Sequence, residues 1–290
     1  MKSNSPPLRH RIQGFSLMEF LIAGLLAVLV LLAIQSVYAN SRRLHQAATA
    51  RLAVQQDIRH TAALITRDAR MSGSFGCFNM AAAHADTVTA DSAADHAAFS
   101  LRSNKQAWLQ PIKALSANLL NADGFHASGT ALLFRYGSDT PSENADIFSS
   151  CTSLARPLVK PQQIHKLLNI SAADSGEISA LSYTVHAYAV GNADGQNGLF
   201  RLSMQNGSWS RPELLIADID SWQIQYLYAD YSDCSAPVFH HSSTLQNGTP
   251  QALTIVLNRN SLTSPDGHRF YLPDITAHIR GASQCTADAV

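Results

Sequence analysis

The sequence predicts an α+β protein in which one long N-terminal helix precedes an antiparallel β-sheet. Three observations carry that reading. The chain is almost unbroken apolar from Phe15 to Val37, and apolar side chains recur at helical spacing beyond it. No proline interrupts the stretch between Pro7 and Pro111. From about Thr130 the pattern changes to short runs of β-branched and aromatic residues divided by turn signals.

Residues 1–14 hold Lys2, Arg9 and Arg11, with His10 and no acid. Basic residues beside an apolar helix stay in the cytoplasm, so the rest of the chain is expected to be translocated. Residues 15–38 have the roughly 20-residue length of a membrane crossing. A secretory signal core is about 7–15 residues and is followed by small residues at its cleavage site. Here Gly14 precedes the apolar run, so a cut after it leaves the helix on the mature chain. Glu19 is the one acid in the run, and Phe20 to Ser41 carry no charge. A carboxylate at the edge of a spanning segment is costly alone and usually has a partner. The plainer alternative is an uncleaved signal anchor in which Glu19 is accidental.

Residues 39–71 are expected to extend the same helix as an amphipathic half. Val54, Ile58, Ala62, Ile65 and Ala69 fall on one face, with Arg51, Asp57, Arg59, Arg67 and Asp68 between them. Met71-Ser72-Gly73 supplies the stop, Gly73 serving as C-cap. At 1.5 Å per residue, a helix from Phe15 to Arg70 is roughly 80 Å long.

Residues 72–290 are expected to form the head. The four cysteines, Cys77, Cys151, Cys234 and Cys285, all lie beyond the apolar run. An even number in an oxidising compartment reads as two disulfides. Three pairings are possible; Cys77–Cys151 with Cys234–Cys285 is favoured as the simplest sequential staple. Residues 79–128 show little periodicity and are assigned to loops with short helices. Strands are expected at Ala131–Tyr136, Glu177–Val190, Leu199–Gln205, Trp209–Ile216, Ser221–Ala229, Gln251–Asn258 and Ile275–Arg280. Asn192 to Gly198 and Asn206-Gly207 supply turns.

Other chemistry is weakly signalled. The chain balances 21 basic against 21 acidic residues, so bulk charge offers no support for nucleic-acid binding. Its arginines and lysines are read as a solvated surface. There is no G-x-S-x-G elbow, P-loop, G-x-G-x-x-G or H-E-x-x-H. Gly73-Ser74-Phe75-Gly76 is too short for the elbow. Cysteine and histidine spacings do not suit zinc, and His240-His241 reads as surface loop. Asn192-x-Asp194 echoes a calcium loop but lacks the later ligands, so a hairpin turn is preferred. No metal, cofactor or enzymatic activity is expected. The sequons at Asn169, Asn206 and Asn247 are read as chance.

Gly14-Phe15-Ser16-Leu17-Met18-Glu19 closely resembles the processing motif of type IV pilins and their relatives. The resemblance implies a prepilin peptidase that cuts after Gly14 and N-methylates Phe15, with Glu19 as the fifth mature residue. It also implies a pilin-like fold, the long helix packing on the sheet of the head. Arg67 to Cys77, Asn197-Gly198-Leu199-Phe200-Arg201 and Glu213 to Tyr226 resemble PilW-type minor pilins more loosely. Ser36 stands where many major pilins carry a kinking proline. The resemblance implies a minor subunit that primes assembly of a type IV pilus at or near its tip. Its implied partners are the prepilin peptidase, other minor pilins, the major pilin, the inner-membrane assembly platform and a possible tip adhesin. The precursor would sit in a bacterial inner membrane with its head in the periplasm, before entering the fibre. The alternatives are a J-type pseudopilin of type II secretion, an adhesin or DNA-binding module on a pilin stalk, and an anchored periplasmic enzyme.

Overall fold

The computed structural model describes residues 16–102, 107–120, 122–159, 162–205, 207–259 and 272–282. It divides into two compact units, Met1–Gln55 and Gln56–Val290. Helix α1 runs from Leu17 to Met71. In the first unit its 18-residue apolar window has a mean hydropathy of 2.8 and no buried residue. Leu17, Phe20, Leu25, Leu29, Leu32 and Val37 are all more than half exposed. Such a helix is long and apolar enough to cross a membrane as a single anchor.

In the second unit α1 is amphipathic. Ile58, Thr61, Ile65, Asp68 and Ala69 are buried, the 3–4 spacing of one helix face. Ile58, Ile65 and Ala69 were expected there; Val54 and Ala62 are half-buried. After Met71 the chain turns at Gly73, whose φ is +82°. A side chain there would meet Pro111 Cβ at 2.9 Å, so glycine is needed on two counts. The Gly73 N–H donates to Arg135 O (2.8 Å) and the Ser72 hydroxyl to Pro111 O (2.8 Å), which ties the helix exit to the sheet.

The β-rich part begins with a small hairpin, β1 (Ser74–Phe75) and β2 (Phe78–Asn79). The larger sheet contains β3 (Val88–Asp91), β4 (Ile112–Ser116), β5 (Phe125–Asp139), β6 (Ile147–Ser149) and β7 (Leu154–Arg156). After the short helix α2 (Ile164–Leu167) come β8 (Ser179–Ala193), β9 (Gln196–Gln205), β10 (Ser208–Trp209) and β11 (Glu213–Ala217). The centre is β8, which pairs with β9 on one edge and with β5 and β6 on the other. A four-stranded sheet follows in the order β13-β12-β14-β15, from β12 (Ser221–Asp230), β13 (Val238–Ser242), β14 (Ala252–Asn258) and β15 (Ile275–His278). Among the described residues all pairings are antiparallel except β3 with β7, so the sheet is mixed rather than wholly antiparallel.

Register divides the residues of the larger sheet between two faces. Phe134, Tyr136, His186, Tyr188 and Arg201 share one, since Phe134 pairs with His186, Tyr136 with Thr184, and Tyr188 with Arg201. Leu133, Arg135, Tyr183, Val185, Phe200 and Leu202 share the other. That second face is covered by the segment expected to be loop. Phe78, Met80, Val88, Phe99, Leu101 and Leu109 pack with Leu133, Val185 and Leu202 in one buried cluster. The short helices expected in 79–128 are present as turns at Met80–Ala82, Ala85–Thr87 and Ala117–Leu119, whereas the loop assignment is corrected. The segment holds β3, β4 and the start of β5, and it forms a packed layer. Its apolar residues are too irregularly spaced to show a period.

Polar side chains hold this layer. Lys113 Nζ donates to Ser100 O (2.9 Å) and approaches Ala97 O and Arg102 O (both 3.4 Å). Arg135 Nη1 donates to Ser100 O (2.6 Å) and Leu101 O (3.1 Å), and Arg102 donates to Val88 O. Arg135 is wholly buried and Lys113 is 8% exposed, which overturns the solvated-surface expectation for both. Burial, with the Arg135 charge beside it, pushes the Lys113 amine down to about 6.

Two expected strands are also redrawn. Trp209–Ile216 is broken into β10 and β11, because residues 210–212 leave the ladder where Pro212 has no N–H to give it. β13, which sequence reading missed, is a solvent-exposed edge without the alternation that marks a half-buried strand. The β8–β9 turn falls on Asp194 (φ +51°) and Gly195 (φ +77°), a two-residue turn of the primed kind. Asp194 thus serves a hairpin.

Candidate functional site

Two carboxylates on α1 stand out, one at each end of the helix. Glu19 lies in its first turn and is exposed. The Ser16 N–H donates to Glu19 Oε2 at 3.1 Å, and the Ser16 hydroxyl accepts from the Met18 N–H at 3.3 Å. Ser16-x-x-Glu19 is thus a capping box, which satisfies helix-end donors that have no partner inside the helix. Sequence reading assigned Glu19 to a partner outside its own chain and missed this local role. The spacing of serine and glutamate was the signal for it. One N–H occupies one lobe of one oxygen; a carboxylate offers about four acceptor positions. The carboxylate therefore keeps capacity for a further donor. Gly14 and Phe15, the expected cleavage and methylation positions, lie outside the described residues.

Asp68 is fully buried in the last turns of α1. Oδ2 accepts from the Tyr188 hydroxyl at 2.7 Å and from Arg201 Nη2 at 3.1 Å. His186 Nδ1 lies 3.0 Å from the same oxygen. Oδ1 accepts from the Tyr136 hydroxyl at 3.2 Å and from Arg67 Nη2 at 3.2 Å. Alternation along β5, β8 and β9 delivers Tyr136, His186, Tyr188 and Arg201 to one sheet face, and the helical period delivers Asp68 to them. Burial alone would raise the Asp68 pKa. The hydrogen bonds from His186 and Tyr188 and the Arg201 charge outweigh it and hold the carboxyl well below its usual range. Burial pushes both tyrosine hydroxyls up, and the Asp68 charge adds to the shift, so they remain donors.

The cluster locks the helix to the sheet. Sequence reading placed Asp68 among the polar residues between apolar positions. Its place one residue before Ala69, on the buried side, was the only local hint; apart from Arg67, its partners lie 68 to 133 positions away.

The Cys77–Cys151 disulfide is present, as expected, and ties the β1–β2 turn to the segment after β6. Cys234 is disulfide-bonded, whereas Cys285, its expected partner, lies outside the described residues. Among the described residues no group of three His, Cys, Asp or Glu side chains is placed to hold a metal. His240 and His241 lie exposed on β13, in a strand rather than the expected loop. A recess of about 1150 Å³ is lined by amides, hydroxyls and an indole, among them Gln110, Thr130, Trp222, Gln223 and Gln225. Asp95, Arg102, Lys113 and Asp220 add charge of both signs to its lining. Trp222 Nε1 donates to Thr130 O (3.1 Å), joining β12 to the larger sheet.

Comparison with known proteins adds no relative: no family model, curated protein or solved structure matches the chain.

Proposed function

We propose that the chain is a structural subunit, a minor pilin that enters a type IV pilus and primes its assembly, rather than an enzyme. The observation that carries this reading is the uncovered apolar half of the helix, whose only acid, Glu19, is placed five residues after Gly14. The similarity of Gly14 to Glu19 to the prepilin processing motif supports the same reading, as does the PilW-like run into Cys77. A side chain row as apolar as Leu17 to Val37 needs lipid or other helices around it. Lipid serves in the precursor, and neighbouring helices serve in the fibre.

In this mechanism the leader stays in the cytoplasm and the prepilin peptidase removes residues 1–14. The new α-amino group on Phe15 is largely protonated near neutral pH, with a reference value of about 7.7–8.0. Glu19 Oε2 caps its own helix, and the rest of the carboxylate accepts the Phe15 ammonium of a neighbouring subunit. Neither charge is then buried alone, and the pair fixes the axial register of entry. The Asp68 lock keeps the head fastened to the end of α1 when the helix moves from bilayer to bundle. Other minor pilins, the major pilin and the assembly platform are the partners this mechanism requires.

Mass spectrometry of sheared surface fibres tests the reading. The expected result is an N-methylated peptide beginning at Phe15. Recovery of that peptide only from the inner-membrane fraction would favour a type II secretion pseudopilin. Recovery of unprocessed chain alone would leave a signal-anchored protein and end the pilin reading.

A further inference from the structure

Between the last turns of α1 and the end of β15 lies an open groove of about 840 Å³. Both walls belong to the second unit. Its floor is small and apolar, with Ala62 on the helix and Ile279 just past the strand, and Met71 flanks it. Its rim is basic: Arg67 and Arg70 stand on the helix side, and Arg280 with His278 on the strand side. Among the described residues no carboxylate lines it. Arg67 is bonded to Asp68. Arg70 and Arg280 are exposed, and among the described residues neither has a hydrogen-bond or ion-pair partner.

In a chain of zero net charge, facing guanidinium groups with no acid among the lining residues are not balanced locally. Guanidinium forks match carboxylates in a two-bond geometry and are weakly hydrated, which favours them at protein interfaces. Methionine and arginine are enriched at interface centres, and methionine adapts its shape to what it meets. The floor lacks an aromatic ring on which a base could stack, which disfavours single-stranded nucleic acid.

We propose that this groove is a docking site for an acidic amphipathic peptide segment of a partner protein. An apolar side chain of the partner sits over Ala62 and Ile279, while flanking carboxylates pair with Arg70 and Arg280. The site is separate from Glu19 and touches the Asp68 cluster only through Arg67.

Fluorescence anisotropy on the full chain in detergent micelles tests it, using a labelled short peptide that alternates leucine with pairs of glutamate. The comparison probes are the same peptide with glutamine for glutamate, and an oligothymidylate of equal charge. The expected result is saturable binding of the acidic peptide and at least about tenfold weaker binding of the glutamine peptide. Arg70→Gln and Arg280→Gln are each expected to weaken the acidic peptide about tenfold, with unchanged circular dichroism. Three results overturn the proposal: no saturable binding, binding indifferent to both arginine substitutions, or oligothymidylate bound as tightly through the same arginines. None of these outcomes depends on whether Phe15 is processed.

Discussion

Replacing Asp68 by asparagine keeps the shape of the side chain and removes its charge. In the folded chain the carboxylate is fully buried and accepts from Tyr136, Tyr188, Arg67 and Arg201, with His186 at 3.0 Å. Asparagine offers one oxygen and turns an NH₂ toward groups that themselves donate. Arg201 is then left partly buried without its anion. Breaking a buried pair by removing one partner costs about 3–5 kcal/mol. For a unit of this size each kcal/mol is worth about 2–4 °C, so the thermal midpoint should fall by about 6–20 °C. Differential scanning calorimetry of the full chain in detergent, reading the transition of the head, measures it. The pH dependence gives a second reading. The folded pKa of Asp68 lies below its unfolded value, so its stabilisation is present above about pH 4 and drains away as pH falls through the lowered value. Wild type should therefore lose stability below pH 4 more steeply than Asp68→Asn does. A cost under about 1 kcal/mol, or identical acid profiles, would refute the idea that this cluster fastens the helix.

Glu19→Gln retains the capping geometry and loses the charge, whereas Glu19→Ala loses both. Both should be cleaved after Gly14 yet be missing from sheared fibres on immunoblots; normal entry of Glu19→Gln would reduce Glu19 to a cap. Replacing Cys77 and Cys151 together by serine opens a 74-residue separation and should cost about 2–5 kcal/mol in non-reducing urea titrations. Gly76→Ala should cost about 1–3 kcal/mol, since φ is +66° and the new Cβ would meet Ser179 Oγ and, at 2.7 Å, Ser179 Cβ; a midpoint equal to wild type would contradict that contact.

What could be read from the sequence was whatever repeats over a short range. The apolar run and the 3–4 spacing of Ile58, Ile65 and Ala69 are periodic, and both are helix in the structure. The centres of β5, β8 and β9 are long and rich in apolar residues, so they were found, although their ends were misplaced by up to about six residues. The layer from Phe78 to Leu109 was invisible because its contacts are all with the sheet and its elements are two to five residues long. Buried charge was the other blind spot. Asp68, Arg135, Lys113 and Arg201 look like ordinary surface residues to any rule based on residue type. Only pairing across β5, β8 and β9 reveals that Arg201 and Tyr188 stand opposite each other. At the first turn the failure was of a different kind. Ser16 and Glu19 were read for an intermolecular role, and the local role at the same spacing was passed over.

On the pilin reading proposed above, the two helix carboxylates divide the work of folding from that of assembly. Asp68 accepts at both oxygens, and every donor comes from its own chain. It leaves nothing for a neighbour, and its energy goes wholly into holding head to helix. Glu19 has one backbone donor, at 3.1 Å, and stands at the start of a segment whose surroundings must be apolar. A carboxylate in that setting is tolerated when its remaining acceptor positions are filled. The chain around Glu19 is Ser16, Leu17, Met18, Phe20 and Leu21, which offers a hydroxyl and no cation. The described neighbours supply no cation, and on the proposed reading it comes from another copy. An α-amino group created at Phe15 by processing would meet that need in every neighbouring copy at the same height. Saturation at one end and deficit at the other is what a subunit requires if it is to fold alone and assemble only after cleavage.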